Sequence, residues 1–562
     1  MRISKRDLIF IGLVAAAYYI QKIISYKLGL YMEECRDANA YLMALDGFVP
    51  YRDINFWPYG PFAFSIYPLV FKFFGANLAV LRLSYVVIGS LIIPLVYFLS
   101  RRLMPPAWAA LAAFLSVALV DVPYYTYNHI LASVSGLLAL VFIVRFIEGK
   151  RARNLFIAGI FIGISILVKP FLMGFGILLS VLLFMVIRKF KNSLGYKAMS
   201  REFAVLFFGT IAALAPFLLY FSAHHALFQS LANIIPIGFG GSGRAGPFYA
   251  YASYLPPLQQ YWQNFIDIVP YKIIFSPAQW KAILVYSYYR LIIFSPVLFP
   301  ALIVLFNLRA VSKRRLVTPG AADIFLLYTL YSIFISGQSV FYLQSMGRSF
   351  TMQVSFILIT YFLFLINSKS AHKGKKYRAF LIIFLSVLFV VYLSFLHYLR
   401  YPYSRLKYYT QNLALERAGD IRVSPREKKL YESLNTLFSR ELPINGVIAV
   451  IGYYPQFSFL LQQDNIFEPN NDVFIKLNSL LASCANVEKN CPEAVKIIDD
   501  VIDRINRSKP EFILKPIRLE DRKPFNRIDG YIKGNYDLYQ TLGIADIDIY
   551  WRGIVEVYRI RR

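Results

Sequence analysis

Three carboxylates stand within five residues just past the first apolar stretch of the chain, in the run Glu33-Glu34-Cys35-Arg36-Asp37. If residues 31–45 are helical, Glu33 and Asp37 share a face at i,i+4, and Glu34 and Asp37 share one at i,i+3. Crowding of this kind raises at least one carboxyl pKa. That suits a general base taking a proton from a hydroxyl. The competing reading is the solvated polar face of a helix at a membrane surface. Lys169 comes next, before Pro170 and after the glycine-bearing run Ala158 to Val168. Pro170 interrupts the helix there. Lys169 could hold a lipid phosphate, or it could snorkel to the interface. Arg348, in Tyr342-Leu343-Gln344-Ser345-Met346-Gly347-Arg348-Ser349, could clamp an anion or anchor a span. Asn128 and His129 open another apolar stretch, where the histidine could orient a sugar hydroxyl or sit as a plain interfacial residue. His224 and His225 have no matched acidic partner, so no metal site is expected.

These residues are set among elements that read as membrane spans. The chain has 562 residues, 57% hydrophobic, with 49 Phe and 42 Tyr. Its mean hydropathy is +0.50. A soluble protein of this size exposes far more polar surface, so the class is a polytopic α-helical membrane protein. About eleven apolar runs are long enough to cross a hydrocarbon core. Their expected positions are 7–26, 78–99, 105–122, 129–146, 154–169, 171–187, 203–222, 291–307, 320–336, 349–367 and 378–397. The first resembles a signal peptide, but Tyr18, Tyr19 and Gln21 suit a retained anchor better.

The net charge of +28 fits either nucleic-acid binding or topogenic charge in loops. Its distribution favours the second. Arg2, Lys5 and Arg6 precede the first span, Arg101 and Arg102 follow the second, and Lys150, Arg151 and Arg153 follow the fourth. Arg188, Lys189 and Lys191 follow the sixth, Arg309 to Arg315 the eighth, and Lys369 to Arg378 the tenth. Every second loop is basic, so those loops are cytoplasmic and the C-terminal segment lies outside. A nucleic-acid partner is not expected.

A boundary near residue 397 separates the membrane domain, 1–397, from a smaller domain, 398–562. Two outer loops are long, 27–77 and 223–290, and long loops inside compact proteins are often functional. The second carries Gly238, Gly240, Gly241, Gly243 and Gly246 among many aromatics. It reads as a lid or as a membrane-lying connector. Residues 398–562 are charge-dense. Val447 to Ile451, Phe512 to Leu514 and Ile554 to Ile560 read as strands, and 493–507 as a helix with one apolar face. That makes a small α/β domain, without a phosphate-binding glycine fingerprint, suited to packing, gating or acceptor docking. Cys484 and Cys491 could form a disulfide if that domain is extracytoplasmic. Cys35 is expected to be a free thiol.

Several motifs in order then resemble the C-type glycosyltransferases, specifically the protein O-mannosyltransferases and the lipid A aminoarabinose transferase. The carriers are Glu33-Glu34, Gly47, Pro50-Tyr51-Arg52-Asp53, Tyr59-Gly60-Pro61, Phe74 to Leu78, Leu81-Arg82-Leu83, and the Ala158 to Pro170 span ending in Lys-Pro. The resemblance covers roughly residues 10–365. One position departs from it: the first acidic residue, usually Asp in the family, is Glu33 here.

The resemblance implies an inverting transfer from a polyprenyl-phosphate-linked sugar to a hydroxyl of a lipid, glycan or protein acceptor. Glu33, Glu34 and Asp37 are then candidates for the catalytic carboxylate. Lys169, Arg348 and Arg52 are candidates for stabilising the leaving phosphate, with Asp53 in the same motif and His129 and Tyr59 disposed toward the sugar. The leaving group is already an anion, so no second carboxylic acid is needed, unlike glycoside hydrolysis. No cofactor is required, and dependence on a divalent metal stays open. The implied location is the plasma (inner) membrane, with the N-terminus cytoplasmic and the C-terminal domain outside. A lipid-linked sugar or polysaccharide transporter would instead place ionisable residues along a path through the spans. A non-catalytic scaffold with a partner-binding outer domain would leave the acidic cluster and Lys169 without a common task.

Overall fold

The structure is a computed structural model that describes residues 4–54, 60–118, 127–169, 174–192, 196–234, 320–340, 353–371, 406–443, 446–452, 454–467, 474, 477, 492–518, 526–548 and 551–561. The first helix, α1 (Lys5–Ser25), opens on a capping box in which Ser4 and Asp7 satisfy each other's backbone N–H groups. Leu8, Ile9, Leu13, Ile20 and Ile23 are exposed on its outward side. Tyr18 and Lys22 are buried on the inward side. Two helices of the first outer loop follow, α2 (Met32–Leu45) and α3 (Ala63–Phe74). Then α4 (Leu78–Ser90) and α5 (Ile92–Ser100) run on from each other, with α6 (Pro106–Ala118), α7 (Tyr127–Gly149) and α8 (Ala152–Val168) after them. The series continues with α9 (Phe175–Asn192), α10 (Tyr196–Ala223), α11 (Leu227–Ile234), α12 (Ala321–Val340) and α13 (Gln353–Ala371).

Among the described residues, four stretches are long and apolar enough to cross a bilayer: Lys5–Ser25, Leu78–Ser100, Asn128–Gly149 and Lys197–Ala223. Shorter apolar helices stand at Pro106–Val117, Ala152–Val168, Ala321–Ile335 and Gln353–Leu365. The spans expected at 291–307 and 378–397 lie outside the described residues, as does the second outer loop beyond Ile234. The glycines of α8 do what small residues do between helices. A Cβ on Gly159 would meet the Leu206 carbonyl of α10 at 2.2 Å. At the end of the bundle expected to be cytoplasmic, Asp7 ties α1 to α5, accepting from the Tyr97 hydroxyl at 2.6 Å and from Arg101 Nε at 3.0 Å.

The C-terminal region is built on β1 (Gln411–Asn412), β2 (Arg422–Val423), α14 (Pro425–Glu441), β3 (Val447–Val450), α15 (Pro455–Leu461), β4 (Asp464–Asn465), α16 (Pro492–Ser508), β5 (Phe512–Arg518), α17 (Asn526–Asn535), β6 (Tyr536–Asp548) and β7 (Trp551–Ile560). Five strands form one mixed sheet in the order β4-β3-β5-β7-β6. β3 runs parallel to β4 and β5, while β7 is antiparallel to β5 and β6. A single hydrophobic core runs from the membrane helices through α14 and α15 to one side of this sheet. A second core lies on the other side, where α16 and α17 pack. Cys484 and Cys491 lie outside the described residues.

Candidate active site

The carboxylate cluster sits on α2, and α2 is anchored by one arginine. Arg82, in α4, reaches Glu34 through two bonds of 2.5 Å, Nε to Oε1 and Nη2 to Oε2. Both side chains are fully buried. The remaining N–H groups of Arg82 donate to the carbonyls of Tyr26, at 2.9 Å, and Gly29, at 2.7 Å. A guanidinium fork matches a carboxylate in this geometry as no other side chain can. It therefore fixes three things at once: the end of α1, the turn after it, and the first turn of α2.

Asp37 lies one turn beyond Glu33 and is also buried. Its Oδ1 accepts from Arg36 Nε at 2.8 Å and Nη2 at 2.5 Å. Tyr67, from α3 of the outer loop, is close enough to feel its charge: burial first, and then the Asp37 carboxylate, push the Tyr67 phenol up. Tyr41, a further turn along α2, packs against Tyr67 with ring centroids 4.8 Å apart and meets Phe64 edge-on at 5.6 Å. Its hydroxyl accepts from Asn128 Nδ2 at 3.2 Å. Asn128 and His129 are both buried in the first turn of α7. The structure thus gathers Asp37, Tyr41, Tyr67 and Asn128 into one cluster, with His129 adjoining it. Glu33 is on α2, but its side chain lies outside the described residues.

Lys169 closes α8. The residue before a proline is pushed away from helical angles, and Lys169 takes φ −147 and ψ 82. Its side chain is 3% exposed. The first outer loop crosses this helix end by two backbone bonds of 2.9 Å, Gly60 N–H to the Val168 carbonyl and Phe62 N–H to the Leu167 carbonyl. A Cβ at position 60 would lie 2.0 Å from the Leu167 oxygen, so only glycine fits. Tyr59, the preceding residue, and Arg348 lie outside the described residues.

The Pro50-Tyr51-Arg52-Asp53 turn makes a different set of contacts, to the end of α10. Arg52 donates to Asp53 at 2.9 and 2.8 Å and, through Nη1, to the His224 carbonyl at 3.1 Å. Asp53 also accepts from Val49 N–H at 2.8 Å. The Arg52 bonds, chiefly, hold the Asp53 carboxyl below the usual carboxylate range. Tyr51 adopts φ 68 and packs on Phe221 of α10 with centroids 5.6 Å apart. Val49, Tyr51, Phe221 and Ala226 make a small core of their own. The turn therefore fastens the first outer loop to the root of the second.

Among the described residues, no group of three or more His, Cys, Asp or Glu side chains is placed to hold a metal. The sequence pattern does not single out Arg82, Tyr41 or Tyr67 as site residues, although Arg82 falls within a motif. For Arg82 a signal exists: an arginine inside an apolar stretch is unfavourable without a buried partner. For the two tyrosines there is none, because the chain holds 42 of them.

Residues 58–220 match the family profile of dolichyl-phosphate-mannose-protein mannosyltransferases. No curated protein sequence matches the chain. Among solved structures, the oligosaccharyltransferase of Archaeoglobus fulgidus in complex with zinc and sulfate superposes with a TM-score of 0.53 at 15% identity, covering 95% of this chain and 71% of that one. The oligosaccharyltransferase AglB from the same organism, in complex with an inhibitory peptide and a dolichol-phosphate, gives a TM-score of 0.52 at 14% identity, covering 95% and 73%. ArnT from Cupriavidus metallidurans bound to undecaprenyl phosphate covers 98% of this chain and 97% of its own, at 12% identity and a TM-score of 0.40. The fold is therefore similar to that of the Archaeoglobus fulgidus oligosaccharyltransferase, and residues 58–220 carry the mannosyltransferase profile.

Proposed function

We propose that this chain is an inverting glycosyltransferase that moves a sugar from a polyprenyl-phosphate donor to an acceptor hydroxyl on the outer face of the membrane. The observation that carries the reading is the buried setting of Glu34 and Asp37 on α2, a helix locked to α4 through Glu34 and Arg82, within a segment adjoining the mannosyltransferase match.

The acceptor oxygen attacks the anomeric carbon, the bond from that carbon to the phosphate oxygen breaks with inversion, and a carboxylate takes the hydroxyl proton. Glu34 is already engaged by two bonds from Arg82. Its role is to position α2, which leaves proton abstraction to Glu33 or Asp37, one turn apart on the same face. Lys169, at the end of α8, and Arg52 and Arg348 supply positive charge for the departing phosphate. Asp53 holds Arg52 in place, while Tyr59 and His129 are assigned to the sugar. AglB was solved with a dolichol-phosphate and ArnT with undecaprenyl phosphate, which is the donor chemistry invoked here.

The test is a transfer assay in membranes with labelled polyprenyl-phosphate sugars. Covalent product from the wild-type chain is expected. Glu33→Gln abolishes it with donor binding intact if Glu33 is the base; loss in Asp37→Asn with full activity in Glu33→Gln assigns Asp37. Sugar crossing the membrane without covalent product would sink the reading in favour of transport.

A further inference from the structure

The C-terminal region touches the candidate site from behind, at three keyed contacts. The first is a backbone bridge. Gly29 N–H donates to the Arg422 carbonyl at 2.8 Å, and Arg422 N–H donates to the Lys27 carbonyl at 2.6 Å. Lys27 also pairs with Asp420 at 3.5 Å. Gly29 has φ +75, and a Cβ there would press into the Tyr409 ring at 2.9 Å. The second contact is Gly419, at φ +62, where a Cβ would lie 2.4 Å from the Oδ1 atom of Asn77. Asn77 is the cap of α4, the helix that carries Arg82. The third is α15, all seven of whose residues are buried, packed on α2 itself. Cys35 of α2 is fully buried there, close to Tyr431 of α14.

These contacts bear on the two helices joined by the Glu34–Arg82 pair. The bridge to 27–29 grips the turn whose carbonyls Arg82 holds, and Gly419 rests on the cap of its helix. Among the described residues, one core is shared by the two regions. We propose that the C-terminal region is a positioning element for α2, with Gly29 and Gly419 as its keying residues, so that the acid helix is held for chemistry by β2, the Gly419 turn and α15. This rests on the glycosyltransfer reading above and goes beyond it, since it gives the region a task in turnover independent of any acceptor it touches.

Cys35 provides the reporter. In a Cys484→Ser/Cys491→Ser background it is the chain's one remaining thiol, and burial shields it. The graded variants Gly419→Ala, Gly419→Val and Gly29→Val/Gly419→Val, purified full-length and monodisperse, would be compared for maleimide labelling, donor KM and kcat. Labelling is expected to rise along the series. The value of kcat should fall roughly tenfold to a hundredfold, as for a sub-ångström to ångström misplacement of a catalytic group, with donor KM unchanged. If Cys35 becomes reactive while kcat holds, the region does not position the helix and the proposal is overturned. If Cys35 stays protected in the double variant, α2 is covered without the keyed contacts, which overturns it equally. Absence of any transfer by the parent chain would sink the glycosyltransfer reading instead, and the thiol arm would still report on the contact.

Discussion

Glu34–Arg82 and Asp53–Arg52 are the same chemical pair in two settings. The first is wholly buried between α2 and α4, and all its guanidinium bonds end on protein atoms. The second is partly open to solvent, with side-chain exposures of 42% for Arg52 and 27% for Asp53. Burial makes the first pair unforgiving. Its charges have been taken out of water, so removing one leaves the other stranded. The second pair can fall back on solvent, and its strength is screened. One pair is thus built to fix geometry, while the other keeps a charged group available at the junction of two loops.

The largest effect should come from breaking the buried pair with one substitution. Arg82→Ala is expected to destabilise the protein by about 3–5 kcal/mol, read as a fall in the thermal midpoint of the purified protein. The sharper experiment removes both charges. Glu34→Leu/Arg82→Met should recover much of that stability, because apolar replacement of a buried pair is often neutral or better. Transfer should nevertheless stay low, since the Tyr26 and Gly29 carbonyls lose their tether. Recovery of full transfer in the double variant would mean that the pair supports folding alone.

Second in size is Gly60→Ala. The added methyl would meet the Leu167 carbonyl, and the two backbone bonds at the end of α8 would have to yield. Overpacking of this sort costs about 1–3 kcal/mol. Because Lys169 follows those carbonyls directly, donor KM should rise as stability falls. An unchanged donor KM would separate the loop crossing from the lysine.

Much of this architecture is legible in the amino-acid sequence, and the rest is hidden for physical reasons. The helix entertained over 31–45 stands at Met32–Leu45. Strands expected at 447–451, 512–514 and 554–560 stand at Val447–Val450, Phe512–Arg518 and Trp551–Ile560. The carboxylates are visible because three charges beside an apolar span are costly. Their division of labour is not. Glu34 differs from Asp37 only through a partner 48 residues away, and no local pattern encodes that distance. The same holds for Tyr41 with Asn128, 87 residues apart. The C-terminal region reads as a separate charge-dense domain because no local pattern signals that Pro455–Leu461 packs on α2 or that Arg422 bridges to residues 27–29.

The smallest effects test the exposed side of the comparison, and their signs differ. Asp53 is held below the usual carboxylate range by Arg52 and by the Val49 N–H, so its charged form is favoured in the folded chain. Its contribution is fully present above the ordinary carboxylate pKa of about 3.9 and is lost as pH falls through the lowered folded value. Asp53→Asn should therefore lower the thermal midpoint at neutral pH, by several-fold less than Arg82→Ala, and should match wild type in acid. Asp464 of β4 behaves in the opposite way. Asp464 is solvent-exposed, yet partial desolvation raises its carboxyl; Arg417 opposes that, and the charge of Asp46 at the end of α2 adds to it. Its ionised form is disfavoured in the folded chain, so it costs stability above its raised folded pKa, and the cost fades as pH falls from there to the ordinary value, below which it is gone. Asp464→Asn should accordingly raise the midpoint slightly at neutral pH, with the gain vanishing in acid. Asp46→Asn should reproduce part of that gain, because it removes one of the two causes that raise the carboxyl. A midpoint for Asp464→Asn that falls at neutral pH would show that the charge is held by its partners, as Asp53 is, and would erase the contrast between the two sites.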